Sequence, residues 1–130
     1  MMQVWFNHQG YCVESSLGES KYLFDIPSYV ENDASMLYTF RWVVFNSAME
    51  GIRELTGTEE VDTDLVLYTD SRLLEELQGE VTPDNHFANS SLKYFLRYDA
   101  LRFNRVDFRK CSENSINSRI KFNDEAKTKR

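Results

Sequence analysis

Three short, mainly hydrophobic runs separated by polar segments occupy the first fifth of the chain. The runs Gln3–Asn7, Tyr11–Ser15 and Lys21–Ile26 are rich in β-branched and aromatic residues, and glycine-containing segments separate them. Short runs of this composition between turn-forming residues are typical of β-strands joined by tight turns. They predict an antiparallel meander of three strands, followed by a loop over residues 28–33 that ends in helix-capping residues.

A helical period follows these short runs, from about Ala34 to Leu55. Apolar residues recur there at the three- and four-residue intervals of an amphipathic helix: Trp42, Phe45, Met49 and Ile52. So wide an apolar stripe predicts a helix that packs against a sheet. The run Asp64–Thr69, which has little polarity, then predicts a strand near the centre of that sheet.

The second half of the chain completes the pattern of elements. It predicts a helix over residues 72–78 with Ser71 as its N-cap, a helix over 89–100, a strand with a bulge over 101–109 and a last helix over 112–122. Three antiparallel strands followed by β-α-β crossovers predict an α/β fold, with helices on the faces of a mixed five-stranded sheet. We expect one domain over residues 1–122 and a polar tail over 123–130.

Composition and charge narrow the class of protein. The chain has 130 residues, 42% of them hydrophobic, and two cysteines, too few for a disulfide framework or a zinc site. It contains no apolar run long enough to span a membrane and does not begin like a signal peptide, so we expect a cytoplasmic protein. Six basic residues stand against seventeen acidic ones over residues 1–101, and nine against four over 102–130. This acidic body disfavours non-specific coating of nucleic acid.

The order of the elements, with Tyr68-Thr-Asp-Ser71 between a strand and a helix, resembles the ribonuclease H family. The most specific part is LVLYTDSRLLEELQGE over residues 65–80, which is similar to the family's strand, TDS tripeptide and helix. Residues 92–119 are similar to its final helix, strand and last segment. The resemblance covers residues 2–121 and implies a ribonuclease H-like fold.

The resemblance also implies a chemistry that this chain does not match. Enzymes of the family hold two magnesium ions with four carboxylates, and Asp70 is the one clear match. Asn7, Val44 and either Asn117 or Ser118 stand at the other three positions. Because magnesium requires hard oxygen ligands, the loss of three carboxylates should abolish metal binding. We therefore expect a degenerate member without a cofactor, which acts as a nucleic-acid- or protein-binding module.

Two alternatives remain open on the sequence. The first is an active nuclease that needs Mg²⁺ or Mn²⁺, with a rearranged site in which Glu50, Asp25 or Glu113 joins Asp70. The second is an acidic interaction protein with no affinity for nucleic acid. Asp70 also has a purely structural interpretation, because an aspartate between a strand and a helix caps that helix and complements its dipole.

A basic set in the last third of the chain is the feature best suited to contact nucleic acid. Its members are Lys93, Arg97, Arg102, Arg105, Arg109, Lys110, Arg119 and Lys121. Along the predicted last strand the residues alternate, so Arg105 and Arg109 should share a face. The same set is also consistent with an ordinary solvated surface. The partner, whether protein or nucleic acid, is not identified by the sequence, and no membrane contact is expected.

Overall fold

The elements form in the predicted order in this computed structural model, which describes residues 1–57 and 59–121 and the backbone of residues 128–129. The strands are β1 Met2–Asn7, β2 Gly10–Ser15, β3 Gly18–Phe24, β4 Val61–Thr69, β5 Phe103–Lys110 and β6 Thr128–Lys129. The α-helices are α1 Ser28–Glu31, α2 Ala34–Thr56, α3 Ser71–Leu77, α4 His86–Tyr94 and α5 Glu113–Ile120. A π-helical turn, Phe95–Asp99, and a 3-10 turn, Ala100–Arg102, connect α4 to β5. None of the described helices is long and apolar enough to cross a membrane.

The strands form one mixed sheet in the order β5-β4-β1-β2-β3-β6. β1 and β3 each pair with β2 in antiparallel fashion, whereas β4 pairs in parallel with both β1 and β5. The predicted α/β fold with a mixed five-stranded sheet is therefore confirmed. β6 adds two residues at the edge, parallel to β3. The rest of the predicted tail over 123–130 lies outside the described residues.

The two faces of the sheet are covered unequally. On the face that we call the α2 face, residues such as Val4 and Leu67 form the main core with Trp42 and Phe45 of α2, and α4 packs beside α2. The opposite face, the α5 face, has a smaller cluster of four buried residues: Trp5, Cys12, Ile116 and Ile120. Among the described residues, α5 is the helix that packs on this second face, against β1, β2, β3 and β4.

Local differences from the sequence prediction concern caps and short turns. The expected loop over 28–33 contains the one-turn helix α1, although Asp33 does cap α2, accepting hydrogen bonds from the backbone of Ser35 and Met36. The predicted N-cap Ser71 is instead the first residue of α3, and Asp70 is the cap. Both residue types satisfy the free amides of a first turn, so sequence does not separate them.

The second half of the chain differs from the sequence prediction in two further details. α4 begins at His86, three residues before the predicted start, because the side chain of Asn85 accepts a hydrogen bond from Ala88 N and caps it. The bulge predicted in the last strand lies instead in its neighbour: from Val61 to Asp64 β4 advances three residues, whereas β5 advances two, from Phe103 to Arg105. α2 keeps the apolar face that its periodicity predicts, with Trp42, Phe45, Met49 and Ile52 all buried.

A fully buried carboxylate joins α2 to α3. Glu76 accepts hydrogen bonds from Tyr38 Oη at 2.8 and 2.9 Å, from Trp42 Nε1 at 3.3 Å and from Arg72 Nε at 3.0 Å. Tyr38 Oη also accepts from the backbone N of Asp84 at 2.9 Å, and burial raises the pKa of its phenol. A buried charge is tolerated only with such partners, so this network fixes α3 against α2.

We predict that Tyr38→Phe lowers the free energy of unfolding by about 1–3 kcal/mol, because it removes one donor to a buried carboxylate and one acceptor for a backbone amide. Urea unfolding measures the change. Tyr29→Phe is the matched control, since Tyr29 is 68% exposed and its hydroxyl should contribute less than about 0.5 kcal/mol. Equal effects of the two substitutions would contradict the role assigned to the network.

Candidate site at the carboxyl ends of β1 and β4

The parallel pairing of β1 with β4 creates the candidate site. Trp5 pairs with Tyr68, and Thr69 Oγ1 donates to Phe6 O at 2.8 Å, so the next residues, Asn7 and Asp70, come to the same edge of the sheet. The carboxyl ends of parallel strands are where α/β sheets commonly place their functional residues. Two of the residues singled out by the family resemblance thus lie side by side.

Asn7 is completely buried and fully hydrogen-bonded. Its Nδ2 donates to Glu113 Oε2 at 3.1 Å and to Asn117 Oδ1 at 2.8 Å, while its Oδ1 accepts from Gln9 N at 2.8 Å. An ionised carboxylate has no hydrogen to donate, so an aspartate at position 7 would oppose the carboxylate of Glu113. This arrangement therefore suits a neutral amide and ties α5 to the end of β1.

Asp70 is engaged through both of its carboxylate oxygens. Oδ1 accepts from Leu73 N at 3.1 Å and caps α3, as the structural interpretation of this residue expects. Oδ2 lies 3.4 Å from Arg41 Nε, and both side chains are about one quarter exposed. This distance is short enough for an ion pair, but the two atoms are not oriented as in a hydrogen bond. A cation from α2 thus faces the carboxylate.

Val44, the position of α2 that the resemblance assigns to a metal-binding glutamate, lies in the main core and is not exposed. The residue of α2 that contacts Asp70 is Arg41, about one helical turn earlier. Arg41 is not among the residues predicted for the site, because nothing local shows which strand end a polar helix residue will meet. The available signal was a cation about one turn before Val44 in the sequence.

His8 borders the same site. It is partly buried, and its Nδ1 is a buried atom without a hydrogen-bond partner among the described residues, as are Arg41 Nε and Asp70 Oδ2. Burial is the main cause that lowers the pKa of His8, and the charge of Arg41 lowers it further, against the opposing effects of Glu113, Glu31 and Asp70. The imidazole is therefore neutral at pH 7.

The other candidate carboxylates are placed apart. Glu113 reaches the site through Asn7, whereas Glu50 lines a groove between α2 and α4. Asp25 lines a surface hollow with Gln9, Glu31 and Lys121, among others, at the border of the site. Ser118 is exposed and donates its hydroxyl hydrogen to Ser115 O. Glu113 is thus the proposed carboxylate that contacts Asn7 at the strand ends.

These donors do not fit a pair of magnesium ions. Within residues 1–57 and 59–121, one group of three His, Cys, Asp or Glu residues brings its ligand atoms within 4.8 Å of one another, and that group is Cys12, Glu14 and Glu19 on β2 and β3. Burial raises the pKa of the Cys12 thiol to about 12, so it is not a thiolate ligand at neutral pH. At the strand ends, Arg41 neutralises one of the two carboxylates. The other, Glu113, accepts a hydrogen bond from Asn7. Two magnesium ions are normally held by a larger set of anionic oxygens than this.

Comparison with known proteins shows the fold alone. No protein-family profile matches the chain, and no curated protein does. Among solved structures, the chain is similar to the N-terminal RNase H domain of Rv2228c from Mycobacterium tuberculosis, determined as a fusion with maltose-binding protein. The TM-score is 0.60 at 11% sequence identity, over 92% of this chain and 94% of that one. The fold is ribonuclease H-like.

The predicted basic set is divided between separate surfaces. Lys93 and Arg97 are exposed on the helical segment that packs on the α2 face, whereas Arg105 and Arg109 alternate with the core-facing Val106 and Phe108 and so lie on the α5 face. Three members have structural partners or edge positions: Arg102, Lys110 and Arg119. Arg102 binds the end of α2, Lys110 ends the edge strand β5, and Arg119 lies over Trp5 at 4.2 Å and contacts Glu14.

We predict that His8 titrates below its ordinary pKa of 6.5, and that Arg41→Gln raises its pKa because one of the lowering causes is removed. Since the folded state resists protonation, the stability that neutral His8 contributes is present above pH 6.5 and is lost as the pH falls below it. NMR titration of the imidazole ring measures the pKa. Arg97→Gln, a charge change on the distant α4 side, is the control and should leave it unchanged. A His8 midpoint at or above 6.5 in the wild type would refute this account.

Proposed function

We propose that this chain is a ribonuclease H-fold domain without metal-dependent nuclease activity, which acts by binding a nucleic acid or a protein. The observation that carries the proposal is the Arg41 guanidinium 3.4 Å from Asp70 Oδ2. In the family that the chain resembles, the matching carboxylate helps to hold cations. Here a side chain of the protein itself supplies the positive charge.

The surrounding residues support the same conclusion. None of the remaining metal positions holds a carboxylate: they are occupied by Asn7, by the buried Val44 and by either Asn117 or Ser118. Asn7 Nδ2 donates to Asn117 Oδ1 at 2.8 Å. Glu113 is the second carboxylate near the site, but it accepts a hydrogen bond from Asn7. Asp70, paired with Arg41, and Glu113, hydrogen-bonded to Asn7, do not together supply the negative charge that two divalent ions require. The proposal therefore includes no metal cofactor.

The fold can retain a binding function after the chemistry is lost, because binding depends on surfaces and not on the carboxylate cluster. The whole chain has a net charge of −6, and its basic residues are divided between two faces. Both features favour a contact restricted to one surface. Broad electrostatic coating of a duplex would require one continuous basic face.

The test is cleavage of a labelled RNA–DNA hybrid in the presence of Mg²⁺ or Mn²⁺, by the wild type and by Asp70→Asn. We expect no cleavage by either protein, with an active ribonuclease H as the positive control for the assay. Circular dichroism verifies that both proteins are folded. Cleavage by the wild type that disappears with a chelator and in Asp70→Asn would show a rebuilt active site and overturn the proposal.

A further inference from the structure

Exposed apolar side chains are concentrated on one segment of the molecule. Among the described residues, five of the ten exposed large hydrophobic residues belong to α4 and the two turns that follow it: Phe87, Tyr94, Leu96, Tyr98 and Leu101. Single exposed apolar residues are ordinary, but a group of this kind on one short segment marks an interaction surface.

Tyr94 and Tyr98 form the centre of this surface. They are 53% and 57% exposed, and their ring centroids lie 4.7 Å apart at an interplanar angle of 46°. The backbone beneath them is fixed, because Phe95 is buried in the core and the carboxylate of Asp99 accepts from Arg53 Nη1 at 2.7 Å. The two rings are thus presented to solvent where α4 passes into the π-helical turn, a feature that often accompanies functional sites.

A row of positive charge accompanies the two rings. Lys93 precedes Tyr94 and Arg97 precedes Tyr98, so a basic–tyrosine pair occurs twice at a spacing of four residues, about 6 Å along a helix. Both cations are exposed. Residues 86–98 contain no acidic residue, and Asp99 is buried against Arg53. The charge of this segment is therefore opposite to that of the whole chain.

Grooves extend the surface on both sides of the tyrosines. One of about 320 Å³ lies between α2 and α4 and is lined by Met49, Glu50, Phe87 and Tyr94, among others. A second of about 290 Å³ is lined by Arg97 and Tyr98 with further arginines. The residues of α2 that line these grooves lie in the carboxyl-terminal half of the helix. Arg41, which contacts the strand-end site, lies in its amino-terminal half.

We propose that this surface, the α4 tyrosine surface formed by Lys93, Tyr94, Arg97 and Tyr98, binds single-stranded nucleic acid. Unpaired bases stack on exposed aromatic rings with little sequence preference, and cations beside the rings neutralise the phosphates. A duplex hides its base faces from such rings. An acidic peptide would use the two cations but has no aromatic planes to match the two exposed rings. The inference rests on the proposed binding function and supplies its ligand class.

The experiment is fluorescence anisotropy of a labelled oligothymidylate at low salt, with the same length of duplex DNA as a comparison. We expect the single strand to bind more tightly than the duplex. Replacing both Tyr94 and Tyr98 by alanine should weaken binding at least about tenfold, whereas replacing both by phenylalanine should preserve it, because the stacking plane remains. Tyr29→Ala, at an exposed tyrosine on α1, should have no effect. Lys93→Ala should lower the slope of affinity against salt concentration by about one.

Three results would overturn the inference: no binding of the single strand at low salt, equal affinity for strand and duplex, or binding that the double alanine variant leaves intact. Tighter binding of a polyglutamate peptide than of the oligonucleotide, lost in the same variants, would assign the surface to an acidic protein instead. None of these results depends on cleavage, so failure here is distinct from failure of the non-catalytic proposal, which the hybrid assay decides.

Discussion

β1 lies between β2 and β4, and it is hydrogen-bonded antiparallel to one and parallel to the other. The parallel pair brings together two residues that are 63 positions apart, Asn7 and Asp70, and leaves both at the end of the sheet where α2 and α5 can reach them. α2 then contributes Arg41 to Asp70, and α5 contributes Glu113 and Asn117 to Asn7. The core on the α2 face and the cluster on the α5 face both include residues of β1, so its pairing is also what joins the two layers.

At these strand ends the protein balances its own charges. In a two-metal site, carboxylates repel one another until cations arrive, and this stored repulsion is part of what binds the metal. Here the guanidinium of Arg41, the amides of Asn7 and Asn117 and the neutral His8 remove that repulsion. Asp70 caps α3, and Asn7 attaches α5 to the end of β1. The proposed loss of nuclease activity thus leaves these strand-end residues a structural purpose.

Much of the fold could be predicted from local sequence, because its long elements have strong periodicity. The apolar stripe of α2 and the apolar run of β4 each indicate one element type, and the order of elements leaves few topologies. α1 has four residues and no period to detect. The bond between Asn7 and Glu113 joins residues 106 positions apart, so only the assembled sheet reveals it. Arg41 was visible as a polar helix residue, but its contact with Asp70 depends on how α2 crosses the sheet.

The most direct test of the claim that Arg41 and the amide network have replaced the metal site is a titration of ¹⁵N-labelled protein with paramagnetic Mn²⁺, observed by NMR. The account predicts no saturable, localised broadening of the backbone amides of Asn7, Asp70 and Glu113. Saturable broadening centred on these residues and abolished by Asp70→Asn would show that the strand ends still hold a divalent ion, and would contradict the account.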